Sequence, residues 1–295
     1  MRCLPNQTNR KGKRIVLKLS GSLFDSEIEK TDFQPLIKVF TDIRRKGTKM
    51  VLVAGGGKNA RQYITAARNL GADESTLDEI GIIVSRLNAM ILVAGLGDLV
   101  HQSIPTSLGE IAKAFEEKGL VVTGGLHPGQ STNATACLIA ERIGADFFIN
   151  ATSVDGVYTS NPNKDPLAEK LSIVTVDKLK DILSESKMGA GTYELMDLVA
   201  LKIIERSHIP TKLVLCSPEV IVKALEGRKV GTQISSRRNK WVNQKKNRFP
   251  LIHIVNTVEN LYILTNRFVL KNVKNKTIII KRKVNVIAKY IWSRS

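Results

Sequence analysis

The sequence predicts an α/β fold with three αβα layers, a mainly parallel sheet covered by helices on both faces. Three observations predict it. First, three short apolar runs rich in β-branched residues, Ile15 to Leu19, Met50 to Ala54 and Leu120 to Thr123, read as strands buried on both faces. Second, each run exits into a glycine-rich turn: Ser20-Gly21-Ser22, Gly55-Gly56-Gly57 and Gly124-Gly125. Third, helical and strand patterns alternate along the chain, which is how a parallel sheet with crossover helices is written.

The elements follow in order. Residues 1–13 are polar and read as a flexible extension. After the first glycine turn, Leu36 to Lys46 reads as a helix ended by Gly47. Lys58 to Leu70 reads as a second helix, ended by Gly71. Leu77 to Ala94 is a longer helix with Ile80, Val84, Leu87 and Ile91 on one stripe. Leu108 to Lys118 is ended by Gly119, and Thr132 to Ile143 follows the third glycine turn. Asp146 to Asn150 reads as a buried strand, Glu194 to Arg206 as a helix, Lys212 to Cys216 as a strand and Glu219 to Leu225 as a short helix. Past Ile234 the alternation stops. Thr277 to Ile280 and Val284 to Ile287 have strand composition without helix partners.

The 295 residues carry a net charge of +18, but the charge is localised. Residues 237–295 hold 15 Lys and Arg and one acid, Glu259. Residues 1–14 hold five basic residues and no acid. Between them, 15–236 holds 25 basic and 26 acidic residues. This near-neutral body excludes a nucleic-acid binder built on the whole surface and leaves that option to the tail alone. The three cysteines, Cys3, Cys137 and Cys216, fit neither a zinc site nor a redox pair and read as reduced thiols. No apolar run reads as long enough to span a membrane. A cytoplasmic protein is expected.

Glycine at a strand exit removes the Cβ and lets backbone N–H groups approach a ligand. A helix starting there adds a partial positive charge. Ligands of such folds bind at the carboxyl ends of the strands, where all three turns fall. The arrangement points to phosphoryl chemistry. Two common phosphate signatures are missing: Gly57-Lys58 is followed by Asn59 rather than Ser or Thr, and no strand leads into G-x-G-x-x-G. Lys18 is a cation inside an apolar strand. It is either a snorkelling edge residue or a charge aimed at the phosphate beside Gly21 and Ser22. Three consecutive glycines, Gly55 to Gly57, are entropically expensive for an ordinary turn. Arg61 follows about one helical turn later and could clamp a phosphate with both arms of its guanidinium.

In their order and spacing these segments resemble the amino-acid-kinase superfamily, in particular its archaeal type of UMP kinase. The resemblance covers about residues 14–234. It rests on Lys18 to Ser22, Gly55 to Arg61, Leu77 to Ile82 with Arg86 to Ala89, Gly124 to Thr132, and Asn150 to Tyr158. It implies transfer of the ATP γ-phosphoryl group to UMP. It also implies that Gly21 and Ser22 contact ATP phosphates, with Lys18 on the transferring group. Gly56 matches a UMP phosphate contact, and Gly57 and Arg61 match contacts on the ATP side. Asp78 matches the nucleoside carboxylate, which as an acceptor suits ribose hydroxyls. Leu126, His127, Pro128, Gly129, Gln130, Ser131 and Thr132 match the loop holding UMP. Thr152, Tyr158 and Asn161 match adenine-nucleotide contacts. Asp155 matches an acid that orients the active-site lysine or holds Mg²⁺ through water, the metal arriving with ATP and having no direct protein ligand. The catalytic set implied is Lys18, Asp155 and Arg61.

Three positions depart from the family pattern. Leu126 replaces a usual threonine, Gln130 a histidine and Asn161 an aspartate. Lys202 is either a second cation near ATP or a solvated helix lysine. Relatives assemble as hexamers, so a homo-oligomer is expected. Residues 236–295 have no counterpart and read as a basic extension outside the catalytic fold. Their Lys/Asn/Ile bias fits read-through of AT-rich DNA or a disordered extension, with a functional basic tail as the alternative. Other readings are another small-phosphate or carboxylate kinase on this scaffold, or a non-catalytic nucleotide-binding protein. Against the isopentenyl phosphate kinases, which place a histidine soon after the glycine triplet, this chain has Lys58 to Arg61. Against a non-catalytic role, it keeps both Lys18 and Asp155.

Overall fold

The computed structural model describes residues 12–25, 32–160, 162, 165–186 and 195–236, with the backbone of three strands between 264 and 281. Residues 1–11 of the expected extension, Asn161, Glu194 and the strand read at Val284 to Ile287 lie outside the described residues.

β1 (Arg14–Leu19) leads through a 3₁₀ turn, Gly21–Phe24, to α1 (Gln34–Arg45). β2 (Lys49–Ala54) leads to α2 (Gly57–Asn69) and α3 (Glu74–Leu96). Then come α4 (Leu108–Lys118), β3 (Leu120–Thr123), α5 (Thr132–Ile143) and β4 (Phe147–Thr152). β5 (Val157–Tyr158) and β6 (Lys170–Leu171) pair as a short antiparallel ribbon. β7 (Ile173–Thr175), α6 (Val176–Ser186), α7 (Leu198–Ser207), β8 (Thr211–Leu215), α8 (Pro218–Leu225) and β9 (Thr232–Ser235) follow.

The central sheet has seven strands in the order β3-β2-β1-β4-β8-β9-β7. All neighbours run parallel except β8 and β9. Strand side chains alternate between faces, and the sheet therefore builds two cores. Val16, Val51 and Val53 join α4, α5, α6 and α7 on one face. Ile15, Leu17, Leu19, Met50 and Leu52 join α1, α3 and α8 on the other. This is the three-layer fold expected.

The chain divides into two compact units, Met1–Asn243 and Gln244–Ser295. In the second, β10 (Leu264–Thr265), β11 (Phe268–Val273) and β12 (Lys276–Lys281) form an antiparallel sheet. The stretch Thr277 to Ile280 lies within β12.

Three expectations need correction. The helix read from Glu194 begins at Leu198, because Asp197 caps it by accepting the Ala200 N–H at 2.9 Å. And α3 is, with its continuation to Leu99, long and apolar enough to cross a membrane by length and composition. One face of it packs in the core, where Leu77, Val84, Ala89, Leu92, Val93 and Leu96 are buried, and the other is exposed; Leu87, expected on one stripe with Val84, is 58% exposed and lies on that outer face. α6 was not read from the sequence, although Val176, Leu179, Ile182 and Leu183 are its buried stripe.

Candidate active site

The exits of β1, β2, β3 and β4 share one edge of the sheet, because these strands run parallel side by side. The first two glycine turns meet backbone to backbone. A Cβ on Gly21 would lie 2.0 Å from the Gly57 nitrogen, and one on Gly57 would lie 2.2 Å from the Gly21 carbonyl. Only glycine permits this approach. Gly57 also has φ +70°, following Gly56 at φ −80°, ψ −32°. A right-handed residue followed by a left-handed one turns successive N–H groups toward a common point, an anion-binding nest. The nest opens α2, whose dipole adds to it. The Asp25 carboxylate accepts the Lys58 N–H there at 2.5 Å.

α3 holds both neighbouring turns. The Asn88 side chain donates to the carbonyls of Gly55 (2.8 Å) and Gly56 (3.3 Å). Ser85 Oγ accepts the Gly125 N–H at 2.8 Å. Arg86 donates to the carbonyls of Gly125 (3.0 Å) and Leu126 (3.3 Å). Two turns further back, Asp78 Oδ2 accepts the Gly129 N–H at 2.6 Å. The loop 126–132 is pinned at its far end by Ser131, which caps α5 through the Ala134 N–H and bonds the Asp197 carboxylate.

Between these elements lies a cavity of about 190 Å³. Gly56, Gly57, Asp78, Gly125, Gln130 and Thr132 line it, with Ile64 and Ile82 as an apolar wall. Gln130 Oε1 is shut off from water without a hydrogen-bond partner. The Leu126 side chain is buried in the core, so this position offers the site its backbone only. His127, Pro128 and Gly129 are exposed on the loop. A second cavity, of about 200 Å³, opens at the amino ends of the strands beside Lys13, Ile15, Phe147 and Lys212. None of the three glycine turns lines it.

Of the remaining expected residues, Lys18, Ser22, Thr152, Asp155 and Tyr158 lie along or just beyond the exits of β1 and β4. Lys18 is half-buried on β1, in register with Val53 and Asn150. Burial pushes the Cys216 thiol up, while the Ser20 backbone N–H and the Lys18 ammonium draw it back. Lys18 stands one residue short of the end of β1. Ser22 donates its N–H to Ser20 Oγ, and the two hydroxyls meet at 2.7 Å. Thr152 ends β4, and its carbonyl accepts the Cys216 N–H. Asp155 pairs with Lys170 Nζ at 2.7 Å and accepts the Tyr158 hydroxyl at 2.9 Å. The Lys170 ammonium, and behind it the Tyr158 hydroxyl, hold the Asp155 carboxyl below the usual carboxylate range. Arg61 is exposed about one turn into α2 and does not line the cavity. Lys202 is exposed on α7.

Sequence reasoning gave no role to Asp25, Ser85, Asn88, Lys170 or Asp197. Arg86 and Asn88 lie inside the Arg86 to Ala89 segment that carries the family resemblance, which is a usable signal. Asp25 and Lys170 reach the site only through the tertiary fold.

The fold agrees with the comparisons. The model of the amino acid kinase family matches residues 13–214. The uridylate kinase of Methanospirillum hungatei is 44% identical over 240 residues, 80% of this chain and 98% of that protein. The uridylate kinase of Archaeoglobus fulgidus is 43% identical over 222 residues, 75% of this chain and all of that protein. The crystal structure of the latter superimposes with a TM-score of 0.68 at 42% identity, covering 75% of this chain and 99% of that one. UMP kinase from Ureaplasma parvum superimposes at 0.63 with 25% identity, covering 77% and 100%.

Proposed function

The chain belongs to the amino acid kinase family, and from that premise we propose that it transfers the γ-phosphoryl group of ATP to UMP, giving UDP and ADP. The observation that carries this reading is the meeting of the Gly21 and Gly57 turns beside a cavity walled by Asp78, Gln130 and Thr132. In this reading the nest lies between a donor side and an acceptor side. Relatives named uridylate kinase are 43–44% identical to this chain over 75–80% of its length, which supports the reading.

The acceptor is a UMP phosphate oxygen, already ionised near neutral pH, so no general base is required. Catalysis is then positioning and neutralisation of charge on the moving phosphoryl group. Lys18 faces that group from β1. The N–H groups of Gly21, Gly56 and Gly57 face the flanking phosphates, and Arg61 closes on a phosphate from α2. Asp78 takes ribose hydroxyls, and the loop 126–132 holds the rest of UMP. Thr152, Asp155, Tyr158 and Asn161 belong to the ATP side.

Among the described residues no three His, Cys, Asp or Glu side chains converge as a metal cage. Mg²⁺ in kinase sites uses one or two carboxylates together with substrate phosphates. Asp155 fits that role through water, with both of its oxygens already hydrogen-bonded. When bound, the metal neutralises phosphate charge.

The reading extends to assembly and location. Ile83, Leu87, Met90 and Ala94 form an exposed stripe on α3 at i, i+4, i+7 and i+11, the spacing of a helix–helix seam. It supports a homo-oligomer. Cys137 and Cys216 are unpaired thiols, as in a reducing cytoplasm. Phosphorus NMR of the protein with Mg·ATP and UMP tests the reaction. UDP and ADP should accumulate in equal amounts, and ADP without UDP would reject it.

A further inference from the structure

The Arg86 to Ala89 motif, which no substrate contact explains, lies where α3 touches two glycine turns at once. Asn88 is 3% exposed, too buried to serve as a solvated polar residue. Its amide nitrogen carries two hydrogens, and it faces two carbonyls, those of Gly55 and Gly56. In a planar trans peptide the carbonyl and the next N–H point in opposite directions. Drawing the Gly55 and Gly56 carbonyls toward α3 therefore turns the N–H groups of Gly56 and Gly57 away from it. Those are the first two donors of the nest. Glycine has no side chain to hold its peptide planes, so a run of three needs an external anchor.

The same helical turn anchors the other side. Ser85 Oγ takes the Gly125 N–H and gives its own hydrogen to the Ile82 carbonyl at 2.7 Å. Arg86 bonds the Gly125 and Leu126 carbonyls. A Cβ on Gly124 would lie 2.5 Å from Ser85 Oγ and 2.7 Å from the Arg86 nitrogen. The turn after β3 is therefore seated directly on α3.

We propose that Asn88 is a positioning residue for phosphoryl transfer: it aims the Gly56 and Gly57 N–H groups, while Ser85 and Arg86 register the acceptor turn against them. One turn of α3 thus sets the spacing between donor and acceptor phosphates. The proposal rests on the kinase reading above.

Asn88→Ala and Asn88→Asp test it in the full-length protein, with kcat and KM for UMP and ATP measured well below each variant's melting temperature. Asn88→Ala should lower kcat by up to about 100-fold, the scale of a misplacement near 1 Å. Asn88→Asp carries the pH signature. Ionised, its carboxylate repels the two carbonyls. Protonated, it donates one hydrogen bond again. Burial raises such a carboxyl, so its kcat relative to wild type should climb as pH falls from 8 to 5. A residue serving stability alone would lower the melting temperature while the folded variants kept wild-type kcat and a parallel pH profile, and that result overturns the proposal. Should Asn88→Ala not fold, the Asn88→Asp profile decides. A wild-type protein that makes no UDP would instead reject the kinase reading, so the two failures are distinct.

Discussion

Lys170 lies across Gly156 and sets its ammonium 2.7 Å from Asp155 Oδ2. The close approach depends on the glycine, since a Cβ there would lie 2.6 Å from Lys170 Cε. The pairing of Tyr158 with Lys170 in the β5–β6 ribbon brings the lysine to this place. Asp155 is thus held as an oriented anion before any nucleotide binds.

The pH dependence of Asp155 follows. Its folded carboxyl is depressed, so the stability it contributes is present above its ordinary value of 3.8 and is lost as pH falls through the folded value. Wild-type kcat/KM should therefore show no acid limb from Asp155 at pH 5–8. Lys170→Met should let the carboxyl rise toward its ordinary value, read by NMR titration. It should raise KM for ATP by about 2- to 5-fold, the scale of an exposed pair. An unchanged titration would show that Lys170 does not hold the acid.

Lys18→Ala should lower kcat by about 10²–10³-fold, as for loss of one preorganised donor to transition-state charge. KM for UMP should change little. Steady-state kinetics check this, and a normal kcat would make Lys18 a packing residue of β1.

How much of this was legible can be seen at these two lysines. Lys18 announced itself because a charge inside a β-branched run breaks the pattern of a buried strand. Lys170 sits in a polar stretch with no such contrast, and only the ribbon brings it to Asp155. The long strands and helices were readable from periodicity, glycine stops and caps. β5, β6 and β7 span only two or three residues each, too few to show a period. The glycine turns were readable as ligand-facing, but their mutual contact was not. Nothing local says that Gly21 will meet Gly57, or that Asn88 will reach Gly55. Leu126 shows how position and side chain can part. It matches a binding loop by position, and its buried side chain leaves only its backbone to face the site.

Gly21→Ala should be among the most damaging single substitutions. Its Cβ would run into the backbone of the facing turn, the Gly57 nitrogen at 2.0 Å and its Cα at 2.4 Å. No side chain can move aside to relieve the clash. A loss of about 3 kcal/mol or more is expected, with kcat falling because the nest is displaced. Denaturant melts and kinetics check both effects, and a variant with wild-type stability would contradict the close packing of the two turns.

Truncation after Ser235, the end of β9, should leave kcat and the melting temperature nearly unchanged, because every site residue precedes it. The remaining 1–235 holds 30 basic and 26 acidic residues, a net of +4. Heparin elution should therefore shift to much lower salt. A tenfold loss of kcat would place the tail within the working enzyme.

The acceptor panel is the most direct measurement. ADP release should be followed with UMP, CMP, dUMP, AMP and isopentenyl phosphate under identical Mg·ATP conditions. With Asp78 and the loop 126–132 reading the nucleoside, kcat/KM for UMP should exceed that for each of the others by at least about 10²-fold. Comparable turnover of CMP or AMP would contradict a uridine-selective site, and preference for isopentenyl phosphate would place the chain elsewhere in the family.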